Sequence, residues 1–115
     1  MPRDYRLYLE DILESCGKIR AYTSGLSPDQ LSADTKTLEA VVRNLEIIGE
    51  AARHMPEDMR SRCEGVEWRK ITAMRNVLIH EYFGVKVEII WDVIRNKLPV
   101  LEGEIRKILN QEMWQ

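Results

Sequence analysis

Apolar residues in the first part of this chain recur three and four positions apart. Tyr5, Leu9, Ile12, Cys16 and Ile19 draw one stripe, which predicts a helix with one buried face over Asp4 to Thr23. Asp4 suits its start, and Ser24-Gly25 closes it, because glycine tolerates the left-handed conformation that commonly ends a helix. In "SPDQ", Ser27 suits an N-cap, Pro28 the first helical position and Gln30 the reciprocal partner of a capping box, so a short helical turn is expected there. Asp34 then caps a long helix running to about His54, with Leu38, Val41, Val42, Leu45, Ile48 and Ala52 inward. Met55-Pro56 ends it. Gly49 lies inside that helix, where it costs roughly 1 kcal/mol relative to alanine. A bare backbone at that point fits the close approach of a neighbouring helix, or of a ligand.

"PEDMRSRC" predicts another short helix and "EGVEW" a loop. A third long helix is expected from about Trp68 to Tyr82, with Ile71, Met74 and Leu78 as its core stripe and Gly84 as its stop. "VKVEI" alternates like a strand, but Val87, Ile90, Trp91, Ile94 and Leu98 continue at helical steps over a longer span, which favours helix. Pro99 should interrupt or kink the chain, since it lacks an amide donor and crowds the preceding turn. A last helix carries Leu101, Ile105, Ile108, Leu109 and Met113. Four long amphipathic helices with short connections describe an all-α, antiparallel helical bundle. Ile47 beside Ile48, and Ile89 beside Ile90, place aliphatics on second faces, a pattern that suits burial against another subunit.

The 115 residues fit a single domain, 1–115, and 44% hydrophobic with 31% charged residues is ordinary globular composition. A net charge of −2 argues against coating nucleic acid through a broad basic surface. Locally the balance differs. From Arg53 to Arg75 there are six basic residues (Arg53, Arg60, Arg62, Arg69, Lys70, Arg75) and four acidic ones (Glu57, Asp58, Glu64, Glu67). Cys16 and Cys63 match no zinc or redox spacing and are expected to be reduced, partly buried small residues. No apolar run approaches the roughly 20 residues that span a bilayer, and "MPRDYRLYLED" lacks the hydrophobic segment of a signal peptide. A cytoplasmic protein with no membrane partner is expected.

Candidate chemistry concentrates in "RNVLIHEYF". On a helical wheel Asn76 and His80 share a polar strip roughly opposite Ile71, Met74 and Leu78. Arg75 lies roughly 140° around from His80 and about one and a half turns below it. One straight helix does not readily bring both groups to the same atom. The arginine would have to wrap around, the helix to distort near Gly84, or a second copy of the helix to complete the site. These residue types suit cleavage of RNA, in which a ribose 2′-hydroxyl attacks the adjacent phosphorus. A histidine, with an unperturbed pKa of about 6.5, takes or gives a proton near neutrality. A guanidinium holds phosphate oxygens and offsets charge that grows in the transition state. Neither role needs a metal or cofactor. The plainer reading is a helix end with packing and capping side chains. His80 suits the dipole at a C-terminus, Tyr82 a core edge, and His54 a cap before Pro56.

"YLEDILE", "RNLEIIGEAAR", "WRKITAMRNVLIHEYFGV" and "IIWDVIRNKLPVL" together resemble the HepT-like proteins of the HEPN superfamily, over nearly the whole chain. The resemblance implies an all-helical homodimer with an Arg-x4-His motif at a cleft between protomers. The implied activity is that of a metal-independent RNase toxin. By position, Arg75 and His80 are then the catalytic pair and Asn76 the polar residue that follows the arginine. Tyr82 completes Arg-x4-His-x-Tyr. In that family the tyrosine accepts AMP from a partner antitoxin, a minimal nucleotidyltransferase, which silences the toxin. Two other classes compete: a non-catalytic helical subunit that binds a nucleotide or a nucleotidyltransferase, and a purely structural dimerising bundle.

Overall fold

A computed structural model describes residues 4–80 and 84–113, with side chains through Gln111. The described residues are all-α. The elements are α1 (Tyr5–Thr23), α2 (Pro28–Ala33), α3 (Thr35–Arg53), α4 (Glu57–Arg62), α5 (Trp68–His80), α6 (Val87–Asp92) and α7 (Leu98–Met113). Their starts follow from local hydrogen bonds. The Asp4 carboxylate accepts from the Arg6 amide at 2.9 Å, and Asp34 accepts from the Thr37 amide at 3.1 Å. Ser27 and Gln30 form both halves of the capping box, at 3.1 and 2.9 Å, so "SPDQ" opens a complete short helix. After Ser24, Gly25 takes φ +78°, the left-handed geometry glycine reaches without strain.

α3 is the central element, packed along α1 on one side and α5 on the other. Val41, Leu45, Ile48 and Ala52 of α3 are fully enclosed, together with Leu9, Ile12 and Ile19 of α1. Tyr8, near the start of α1, stacks on His54 at the end of α3, so those two helices run antiparallel. Met59 of α4 and Cys63 after it are buried in the same core. From α4, the Arg60 guanidinium donates to the carbonyls of Ala52 and Arg53 at 3.0 and 3.1 Å. It thereby adds a side-chain donor to carbonyls of the last turn of α3, where the helix's own amides run out.

The helical reading of "VKVEI" holds: Val87–Asp92 is α-helix. The regular α-helix is interrupted near Pro99, as expected, but just ahead of the proline and without ending the helical run. The chain passes from α6 through a π-helical turn, Val93–Lys97, directly into α7, and the proline lies inside α7. The Leu98 amide donates to the Val93 carbonyl, five residues back. In a regular α-helix the proline ring would press on the carbonyl four residues before it. The wider turn relieves that conflict, and it keeps Ile90, Ile94 and Leu98 turned toward the core despite their uniform spacing of four. Lys97 within this turn pairs with Glu67, just before α5. α1 and α7 are joined by Glu102, which accepts from Arg20 at 2.6 Å and from Arg106 at 3.1 Å.

Candidate functional site

The site is set up by the meeting of α3 and α5. A Cβ placed on Gly49 would lie 2.6 Å from Arg75 Cβ, 3.1 Å from the Ile71 carbonyl oxygen and 3.4 Å from Arg75 Cα. The missing side chain therefore serves the approach of a neighbouring helix, and the point of contact is the base of Arg75. That draws the arginine toward α3. Its Nε lies 2.7 Å from Glu50 Oε2, as an ion pair. The carboxylate's other oxygen takes Arg53 at 3.1 Å and His54 Nε2 at 3.1 Å. A carboxylate only accepts, so His54 Nε2 is the donor. Burial opposes ionisation of Glu50, yet the hydrogen bond from His54 and the charges of Arg53 and Arg75 prevail and hold the carboxyl below its ordinary range.

At the outer end of the same guanidinium, Arg75 Nη1 donates to Asn76 Oδ1 at 3.2 Å. The arginine thus bridges from α3 to the outward strip of its own helix. Asn76 and His80 are both exposed, as their shared strip predicts, and α5 remains α-helical through His80. The guanidinium is directed to α3 rather than wrapped toward His80, and no distortion of α5 up to His80 unites the two groups. Tyr82 lies outside the described residues. His54 does terminate its helix, with its backbone N–H bonded to the Ala51 and Ala52 carbonyls. Its ring does more than cap. It packs parallel to Tyr8, with ring centroids 4.9 Å apart and 11° between planes.

Beside Arg75 lies a groove of about 190 Å³, walled by Tyr8, Asp11, Arg43, Glu46, Glu50 and Ile79. A larger groove of about 500 Å³ runs on the other side of α5, toward α6 and α7. It is mainly apolar, with Met74, Val77, Ile89 and Val100 among its walls and Lys70, Glu67 and Asp92 at its edges. Val77 and Ile79 expose 42% and 44% of their surface within the very segment that carries Arg75 and His80. The second apolar faces expected from paired isoleucines are therefore present at Ile89, which is exposed; Ile47 is half-buried. Among the described residues no cluster of His, Cys, Asp and Glu is arranged to hold a metal ion, and no helix is long and apolar enough to cross a membrane.

Glu50 is the residue that reading the sequence did not single out. One signal was available: Glu50, Arg53 and His54 stand at i, i+3 and i+4, so they share a helix face. What the spacing did not reveal was that this face meets Arg75.

The profile of a family described as ribonuclease HepT-like matches residues 12–108. A Methanocaldococcus jannaschii protein named "Putative RNase" is 43% identical over 110 residues, covering 95% of this chain and 91% of its own. One of the same name from Caldanaerobacter subterraneus is 42% identical over 107 residues, covering 93% and 96%. A Thermococcus cleftensis protein named "Probable ribonuclease HepT" is 39% identical over 108 residues, covering 94% and 98%. No solved structure matches the chain at a significant level.

Proposed function

This chain belongs to the HepT-like ribonuclease family, and from that premise we propose that it is a metal-independent endoribonuclease whose site is completed across a homodimer. The observation that carries the reading is the placement of the motif. Arg75 is held against α3 while His80 projects outward on the same helix, and exposed Val77 and Ile79 lie between and beside them. An apolar strip among polar functional groups suits a subunit interface. Two copies of α5 facing each other would bring two histidines and two arginines to one cleft. One histidine takes the proton from the ribose 2′-hydroxyl as its oxygen attacks phosphorus. The other protonates the departing 5′-oxygen, leaving a 2′,3′-cyclic phosphate and a 5′-hydroxyl. Arg75, steadied by Asn76, offsets the charge on the phosphorane oxygens.

The finer proposal is that the enzyme is the toxin of a toxin–antitoxin pair. A minimal nucleotidyltransferase antitoxin would attach AMP to Tyr82, two residues from His80. The nucleotide and its negative phosphate would then block the cleft and repel RNA. Support comes from the complete Arg-x4-His-x-Tyr pattern at residues 75–82.

Subunit mixing tests the shared site. Heterodimers of wild-type and His80→Ala chains hold one histidine where the shared cleft needs two, so they should cleave as poorly as the His80→Ala homodimer, read as cyclic-phosphate fragments from a labelled RNA. Heterodimers that keep about half of the wild-type rate would confine the site to one protomer. The His80→Ala chain should keep its helical spectrum and its stability within about 0.5 kcal/mol, as expected for an exposed side chain. Full activity in that variant would remove His80 from the mechanism. For Tyr82, growth arrest by the wild-type chain should be relieved by a co-expressed nucleotidyltransferase and not in Tyr82→Phe.

A further inference from the structure

We infer that Glu50 is a positioning residue for Arg75, acting with Gly49 as a two-residue clamp on the guanidinium. The inference rests on the ribonuclease reading for its consequence, but its geometry stands on four observations. Gly49 lets the backbone of α5 come within contact of α3 at Arg75 itself. Glu50, the next residue, faces the arginine Nε at 2.7 Å. Glu50 is fixed in turn by Arg53 and His54 on its other oxygen, and His54 is fixed by the Tyr8 ring. Finally, Glu50 Oε2 is buried and accepts no aligned hydrogen bond, so the charge of Arg75 is what offsets its burial.

The choice of nitrogen matters. A guanidinium has five N–H donors in a planar fork. The Glu50 charge beside Nε holds the plane by its stem, and Nη1 spends one donor on Asn76. The remaining terminal N–H groups are the ones suited to a phosphate, since paired oxygens are best met by a parallel pair of donors. A clamp at Nε therefore orients the fork without occupying it. A carboxylate at the terminal nitrogens would instead compete with substrate. The grip also persists at working pH. Because the Glu50 carboxyl is held below its ordinary range, its charge is present near neutrality and is lost only when acid titrates that lowered group.

The test compares wild type with Glu50→Gln, which keeps the shape and removes the charge. The Arg75 Nε–H signal, followed by nitrogen-15 NMR, should be ordered and slow to exchange in the wild type and should lose both properties in the variant. With an RNA oligonucleotide substrate, kcat should fall by up to about a hundredfold, the scale of a roughly 1 Å misplacement. KM should change by less than about twofold. In an Arg75→Ala background the same substitution should cost nothing further, because Glu50 acts through the arginine. An unchanged Nε–H signal, an undiminished kcat, or an additional loss in the Arg75→Ala background would each overturn the inference. Should the wild type fail to cleave RNA at all, the ribonuclease reading falls, and the Nε–H comparison alone still decides whether the clamp exists.

Discussion

Replacing Gly49 with alanine probes the contact on which the site depends. The added Cβ would sit 2.6 Å from Arg75 Cβ, about 1 Å inside the optimal separation of carbon pairs. The two nearest obstacles after it are backbone atoms of α5, at 3.1 and 3.4 Å. No side-chain rotation clears them, so α3 and α5 must part. Overpacking of this kind costs about 1–3 kcal/mol, while alanine regains about 0.8–1.0 kcal/mol through helix propensity. The net loss is roughly 0–2 kcal/mol, readable as a fall in Tm of about 4 °C for each kcal/mol.

The functional loss should be larger than the stability loss. Parting the helices by about 1 Å would stretch the Arg75–Glu50 ion pair by a similar amount and shift the guanidinium, and a misplacement of that size can cost up to about a hundredfold in rate. Gly103→Ala supplies the control, since nothing lies within 4 Å of a Cβ there. It should stabilise the chain by about 0.8–1.0 kcal/mol and leave cleavage unchanged. Urea unfolding of both variants, beside initial rates on a labelled RNA, reads the comparison. A Gly49→Ala chain as stabilised as Gly103→Ala, with full activity, would refute the close approach and the clamp built upon it.

Two further outcomes follow from charge and burial. Hydrogen bonds from Lys70 and Lys97 hold the Glu67 carboxyl well below the ordinary range, at about 2. A depressed folded-state value stabilises the fold above the unfolded value of about 4.3, and that contribution fades as pH falls toward 2. Glu67→Gln should flatten the dependence of Tm on pH across that window, and parallel curves for the two proteins would contradict the pairing. Burial, with Glu102 nearby, pushes the Cys16 thiol up to about 12, and burial also raises Cys63. Neither should react with a thiol reagent at pH 8 until urea unfolds the chain, and rapid labelling of the native protein would show the core to be open.

Much of the architecture could be read from spacing. The stripes of α1, α3 and α5 match the enclosed residues, and the Ser27 and Asp34 caps form as their side-chain chemistry predicts. Periodicity was also enough to place Asn76 and His80 on an outward strip and Arg75 well around from it. Three things were not legible. Pro99 was expected to interrupt or kink the chain, and what the sequence left open was the form of the interruption, a helix that widens ahead of the proline. Gly49 signalled a close approach without naming the partner, since the residue facing it depends on how α3 and α5 cross. Glu50 carried no mark in the sequence beyond the helix face it shares with Arg53 and His54. Its role becomes visible only when a residue 25 positions later is brought against it.

The π turn between α6 and α7 has a consequence for how this sequence can vary in length. A turn closed from Leu98 to Val93 holds one residue more than its α-helical counterpart. Removing one residue from 93–97, together with exchange of Pro99 for a residue that has an amide proton, would yield an uninterrupted α-helix. Such a deletion would turn Ile90 and Leu98 relative to each other and draw Lys97 away from Glu67. In α3, by contrast, any gain or loss of one residue between Gly49 and the buried stripe would swing Glu50 off Arg75 by about 100°. The chain thus carries its slack in one place and its strictest count in another, and relatives that differ in length should differ at the first and agree at the second.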